Sequence, residues 1–229
     1  MSFPTTRRSI VMALGSDDVA ERARAFDVLV ALYWKPLYKY LRVARGRTVQ
    51  DAEDLTQSFL AHAFEKGTLA SYDAEKASFR TFLRTLFDRF VANEFKARAR
   101  LKRGGGAAHL DFVVAEAEID REHDRGGTPE EYFQREWVRS VFTVAVERLR
   151  ESSRAGDFAL FEAYDLDDIA NMSYRELASR FDLPETTVTN RLAAIRRNFR
   201  AIVLDVLRDA TASEHEYRNE VRALLGVEV

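Results

Sequence analysis

The sequence predicts an all-α protein made of two small helical domains joined by an acidic linker. Three observations predict it. Apolar residues return at intervals of three and four along most of the chain, and an alternation of period two is sustained nowhere. Four prolines and ten glycines in 229 residues leave room for long helices. Between two groups of helical segments lies Asp111 to Glu136, with nine Asp or Glu residues against three Arg. The expected boundaries are 1–106 for the first domain, 107–131 for the linker, 132–209 for the second domain and 210–229 for a C-terminal extension. With 46% hydrophobic and 31% charged residues the chain has the composition of a folded protein, and its length gives each domain a modest core.

The elements follow in order. Phe26, Leu29, Val30, Tyr33, Leu37 and Leu41 recur at helical spacing, with Pro36 as a kink or a junction between two helices. A second helix begins near Thr48, where Thr48 and Asp51 form an acidic variant of the capping box. Its apolar stripe is Ala52, Leu55, Phe59 and Ala63, and Gly67 ends it. Thr68 to Ser78 reads as a polar loop containing Tyr72. Phe79, Phe82, Leu83, Leu86, Phe87, Phe90 and Val91 then form the strongest helical stripe in the chain, and this helix runs into a basic stretch that stops at Gly104-Gly105-Gly106.

Past the acidic stretch a helix starts around Pro129, with Trp137, Val141, Val144, Ala145 and Leu149 as its buried stripe. Phe158, Leu160, Phe161 and Tyr164 belong to the next helix. Ser173 and Glu176 make a capping box ahead of Leu177, Ala178 and Phe181. After the turn Asp182-Leu183-Pro184 a longer helix carries Val188, Leu192, Ile195, Phe199, Ile202 and Val206. The tail from Thr211 suits a short helix packed on either domain.

Composition excludes several function classes. Cysteine is absent, so no disulfide, thiol nucleophile or cysteine metal site is expected. The four histidines, His62, His109, His123 and His215, are scattered, and Arg103-Gly104-Gly105-Gly106 lacks the Gly-Lys-Ser/Thr of a phosphate-binding loop. His123-Asp124 has no metal-binding companions in its acidic surroundings. No enzymatic activity and no cofactor are expected. The first ten residues lack the apolar run of a secretory signal, and no apolar stretch approaches the roughly 18 residues that span a bilayer, so a cytoplasmic location without membrane insertion is expected.

A net charge of −2 conceals strong segregation. From Arg80 to Arg103 eight Arg or Lys residues face only Asp88 and Glu94. Affinity for phosphate depends on the local field rather than the chain total, so this helix is a candidate for nucleic-acid backbone contact. Its candidate residues are Arg80, Arg84, Arg89, Lys96, Arg98 and Arg100; a solvated helix face would give the same residues without a function. Ser173 to about Arg200 has the form of a helix-turn-helix, whose second helix offers Thr186, Thr187, Thr189, Asn190, Arg191, Arg196 and Arg197. The hydroxyl and amide groups suit base edges and the arginines suit phosphates. A two-helix hairpin inside a larger bundle would share this pattern, and Asp182 stands where many such turns carry Gly. Asp51, Glu53 and Asp54 place three carboxylates at a helix start. Capping alone needs fewer, and no His or further carboxylate lies one turn away to hold a metal, so a basic protein partner is expected.

Tyr33-Trp34-Lys35-Pro36-Leu37-Tyr38, Asp51-Ala52-Glu53-Asp54-Leu55-Thr56-Gln57 and Phe79-Arg80-Thr81-Phe82-Leu83 resemble domain two of the extracytoplasmic-function group of the sigma-70 family. Met172-Ser173-Tyr174-Arg175-Glu176-Leu177-Ala178 followed by Leu183-Pro184-Glu185-Thr186-Thr187-Val188 resembles domain four. More narrowly, Phe3-Pro4-Thr5-Thr6-Arg7, Leu101 to Gly106 and the extension after Asp209 resemble a subgroup common beside serine/threonine kinases. The resemblance implies an RNA polymerase sigma factor that directs the core enzyme to promoters and assists melting. It implies that Asp51, Glu53 and Asp54 dock on the clamp helices of the β′ subunit. It implies that the loop Thr68 to Ser78 and the following helix, with Asn93, Arg84 and Arg89, capture a flipped base of the minus-ten element, and that the helix from Thr186 reads the minus-thirty-five element. The subgroup resemblance implies phosphorylation by a serine/threonine kinase, with Thr56 beside the acidic patch as the candidate site; an anti-sigma factor is the alternative regulatory partner, and no residue of the chain points to one. The alternative is a stand-alone helix-turn-helix regulator, which has no need of the Asp51–Asp54 patch.

Overall fold

The computed structural model describes residues 10–98, 128–167 and 172–226, and among them every regular element is helical. The helices are α1 (Ile10–Ala13), α2 (Val19–Lys39), α3 (Val49–Glu65), α4 (Phe79–Arg98), α5 (Pro129–Ser152), α6 (Ala155–Phe161), α7 (Tyr174–Arg180), α8 (Glu185–Asp209) and α9 (Glu214–Leu225). Single π-helical turns follow α2 (Tyr40–Ala44) and α6 (Glu162–Leu166), and a 3-10 turn, Thr68–Ser71, follows α3. No helix among the described residues is long and apolar enough to cross a membrane. The all-α expectation is met. Residues 107–127 of the expected linker, and Arg100 with the glycines after it, lie outside the described residues.

By internal contact the chain forms two compact units, Met1–Ser140 with Leu207–Val229, and Val141–Val206. Residues 132–140 and the C-terminal extension thus group with the first unit.

Local chemistry sets the helix ends of the first unit. Asp18 caps α2 by accepting hydrogen bonds from the N–H groups of Ala20 and Glu21. Pro36 does not end that helix, which continues to Lys39; the irregularity comes after it, as the π-turn. Thr48 caps α3 by accepting from the Asp51 N–H, and Gly67, at φ 60°, supplies the left-handed residue just past its end. The start of α5 carries a reciprocal cap that the sequence reading passed over. There the Thr128 N–H donates to the Glu131 carboxylate at 2.7 Å, and the Glu131 N–H donates to the Thr128 hydroxyl at 3.2 Å, with Pro129 as the first helical residue.

The core of this unit takes Leu29, Tyr33 and Leu37 from α2, Ala52, Leu55 and Phe59 from α3, and Phe79, Leu83 and Phe87 from α4, all buried. Phe59 lies tilted against Phe87 at 4.9 Å and Phe90 at 5.6 Å. One charged pair is sealed within it: Lys39 Nζ lies 2.7 Å from Glu136 Oε2, with side chains 1% and 2% exposed.

The second unit has two apolar clusters. Leu149, Phe158, Phe161 and Ile195 form one, with Phe199 and Ile202 packed against it. Leu160, Leu177, Val188 and Leu192 form the other, bordered by Phe181 and Leu183. The second cluster bonds α7 to α8, and so fixes the hairpin that presents the polar face of α8.

Candidate nucleic-acid interface

Two polar faces run along α4, and they differ in what they meet. Arg80, Arg84 and Asp88 follow one another at helical spacing. The Arg80 guanidinium lies 2.8 Å from Glu220 and 4.5 Å from the centre of the Trp137 ring. Arg84 reaches Glu130 at 2.6 Å and Asp88 at 3.6 Å. Asp88 in turn receives Arg45 and the Tyr40 hydroxyl, each at 3.1 Å, and burial together with this carboxylate raises the Tyr40 pKa. Both arginines are thus engaged inside their own unit. Arg89, Asn93 and Lys96, one turn apart on the other face, are exposed. Arg98 is helical and ends the described part of α4.

The outward face borders a pocket of about 210 Å³ formed between the α3–α4 loop and α4. Phe82 and Leu86 supply apolar surface, Thr81 and Thr85 supply hydroxyls, and at its edge stand two cations, Lys76 and Arg89, and one carboxylate, Asp73. The loop is internally braced. Asp73 receives Lys76 at 2.7 Å, which holds its carboxyl below the usual range, and it also accepts the Glu75 N–H at 3.0 Å. Tyr72 donates its hydroxyl to the Ala77 carbonyl at 2.9 Å and packs its ring on Phe79 and Phe82, 5.2 Å from each. Sequence reasoning named Arg89 but not Lys76 or Phe82, which line the pocket beside it; a lysine three residues before an aromatic helix start was the available cue.

In the second unit, Ser173 and Glu176 form a complete capping box at α7, and the Ser173 N–H holds the Glu176 carboxyl below its ordinary pKa. The turn into α8 needs one left-handed residue, and Asp182 takes it at φ 49°. Closing bonds run from the Leu183 N–H to the Ala178 carbonyl at 2.9 Å and from the Val188 N–H to the Pro184 carbonyl at 3.1 Å. Thr186, Thr189, Asn190, Arg191 and Arg197 are exposed on α8, and Thr187 is half-buried. Thr189 donates its hydroxyl to the Glu185 carbonyl at 3.0 Å, as helix-borne threonines commonly do. Arg191 lies 3.5 Å from Asp157. Arg196 is turned inward: it grips Asp165 at 2.8 Å, donates to the Tyr174 hydroxyl at 3.2 Å and lies over the Tyr164 ring. The bond to Asp165 raises its pKa further. On α7, Arg175 and Arg180 are exposed cations beside this face that the sequence reading did not single out.

No family model matches the chain, and no curated protein matches it.

The acidic constellation opens α3 in the first unit. Asp54 is exposed, and Asp51 and Glu53 are half-buried. Thr56, four residues from Ala52 on the same stripe, is fully buried, and its hydroxyl has no hydrogen-bond partner. A phosphate of about −1.5 to −2 charges has no room at such a position while α3 is packed. Burial therefore stands against Thr56 as a kinase target in the folded chain. Among the described residues no group of three or more His, Asp or Glu could hold a metal ion.

Proposed function

We propose that the chain is a sigma factor of the extracytoplasmic-function kind, a subunit that brings RNA polymerase core to promoters and has no catalysis of its own. The observation that carries this reading is the pocket between the α3–α4 loop and α4, with Phe82 and Leu86 as apolar surface, Thr81 and Thr85 as hydroxyls, the Lys76–Asp73 pair on the loop side and Arg89 as the cation without that carboxylate. A cavity of about 210 Å³ with stacking surface and cations is suited to a single unstacked base and the phosphate beside it. Its position matches the segments that resemble the family's minus-ten reader.

The α7–α8 hairpin supports the second half of the reading. Its exposed Thr186, Thr189 and Asn190 would meet base edges of the minus-thirty-five element in the major groove, while Arg191 and Arg197 would hold phosphates. Asp51, Glu53 and Asp54 would face the basic clamp helices of the β′ subunit. Polymerase performs the chemistry; this chain, working in the cytoplasm, would place and open the template.

The direct test is run-off transcription with purified polymerase core on DNA from upstream of the chain's own gene. Transcripts that start at one site only when the chain is added support the reading. Failure to associate with core at low ionic strength, where opposite charges attract most strongly, sinks it.

A further inference from the structure

We infer that the C-terminal helix α9 is a clamp on the base-capture pocket and that Glu216 is its positioning residue. The inference rests on the proposed role of that pocket. Helix α9 is capped by Ser213, whose hydroxyl accepts the Glu216 N–H, and ends at Gly226 with φ 64°. It buries Glu216, Tyr217, Glu220 and Val221 within the first unit. Two of those four are acidic, which an ordinary amphipathic helix would keep in water.

The acidic groups meet partners in the region that builds the pocket, Glu216 through hydrogen bonds and Glu220 through an ion pair that leaves its Oε2 buried without a hydrogen bond. Glu216 Oε1 accepts the N–H of Phe79, the first residue of α4, at 2.7 Å, although 137 residues separate them. A carboxylate there satisfies an otherwise orphaned donor and complements the helix dipole. Glu216 Oε2 accepts the Ala212 N–H at 3.0 Å and lies 3.3 Å from the Tyr72 hydroxyl. Burial, with Glu216 beside it, raises the Tyr72 pKa, so that hydroxyl stays a donor. One turn further along α9, Glu220 holds Arg80 at 2.8 Å.

A local cap would end at Phe79. This one continues into the pocket wall. Tyr72, at the carboxylate, donates to the carbonyl of Ala77 and packs on Phe82, and both Ala77 and Phe82 line the pocket. Glu216 thus sets where the loop meets the helix, and through Tyr72 it sets the spacing between the loop side and the Phe82 side of the cavity. It touches no ligand itself.

The test uses the full chain and its variants Glu216→Gln, which keeps the side-chain shape, and Tyr72→Phe, which keeps the ring. Glu214→Gln, an exposed change on the same helix, serves as control. Amide hydrogen exchange of residues 68–82 and binding to a mixed pool of fluorescein-labelled single-stranded DNA are measured well below the thermal transition, beside binding to duplex DNA. In Glu216→Gln, exchange in that segment rises about tenfold and single-strand affinity falls severalfold, with duplex binding unmoved, because one charge-assisted contact is lost locally. Tyr72→Phe gives a smaller change of the same kind, and Glu214→Gln gives neither. Unchanged exchange in both Glu216→Gln and Tyr72→Phe overturns the clamp, as does faster exchange with full single-strand affinity. If the unaltered chain binds no single strand while exchange still rises in Glu216→Gln, the clamp stands and the proposed role of the pocket falls.

Discussion

Helices α4 and α8 both read as basic stripes, yet the structure divides each into arginines that face outward and arginines that serve the fold. In α4, Arg80 and Arg84 answer Glu220, Glu130 and Asp88, while Arg89 has its place at the pocket. In α8, Arg196 answers Asp165 and two tyrosines, while Arg197 stays exposed. What decides is how closely a carboxylate from another element holds the guanidinium: Arg80, Arg84 and Arg196 are held at 2.6–2.8 Å, whereas Arg191, 3.5 Å from Asp157, remains exposed. The units differ in their interiors as well. The first seals a Lys–Glu pair into its core, whereas both clusters of the second are apolar.

That difference between the interiors is the one with the largest expected effect. Glu136 also meets Arg139 at 2.5 Å, so removing Lys39 takes one of two cations from a buried carboxylate, and Lys39→Ala should cost about 2–3 kcal/mol in urea unfolding of the first unit, below the roughly 3–5 kcal/mol of a fully stranded charge. Replacing both, Lys39→Met with Glu136→Leu, should cost much less than the single change. Equal losses in the single and double variants would mean the pair contributes packing rather than charge.

The division among arginines is sharpened by pairing variants. Arg89→Ala and Arg197→Ala should each lower the dependence of DNA affinity on log salt by about 0.7–0.9, one phosphate contact apiece, with little change in melting temperature. Arg80→Ala should do the reverse, lowering melting temperature and leaving the salt slope nearly unchanged. If Arg80→Ala lowers the slope as much as Arg89→Ala does, its pairing with Glu220 opens on DNA and the distinction between the two faces fails.

The turn before α8 gives a smaller effect. Asp182 holds φ 49°, a region that a β-branched side chain enters only at a cost, so Asp182→Val should destabilise the second unit by about 1–2 kcal/mol. Asp182→Gly should fall within about 0.5 kcal/mol of the parent, because relief of strain offsets added freedom in the unfolded chain. Thermal unfolding followed by circular dichroism separates the two outcomes.

What the sequence made legible is what neighbours along the chain decide. The cap at Thr48, the box at Ser173, the stop at Gly67 and the apolar stripes of α3, α4 and α8 all depend on residues within a turn or two of one another. The Thr128–Glu131 box was equally local and was simply passed over. The rest was not legible because its partners are remote. Nothing near Phe79 announces that Glu216 will cap it, and nothing near Lys39 announces Glu136. The sorting of arginines into inward and outward sets follows from those same distant carboxylates, which is why a count of basic residues overstated the face available to a nucleic acid.

Thr56 offers a change smaller than that of Asp182→Val and the sharpest separation of fold from regulation. Its hydroxyl is buried without a partner, so it contributes desolvation cost and no compensating bond. Thr56→Val, nearly identical in shape, should therefore stabilise the first unit by about 1 kcal/mol. A structural threonine gives that gain and leaves promoter output unchanged in cells under inducing conditions. A regulatory one gives the gain in vitro but loses output in vivo, which would require α3 to leave its packed position to meet a kinase. In that case backbone amides of α3 around residue 56 must exchange far faster than those of α4 in the unmodified chain. Slow exchange there, together with unaltered output from Thr56→Val, removes the hydroxyl from any account of control and leaves the acidic start of α3 to act by its own fixed charge.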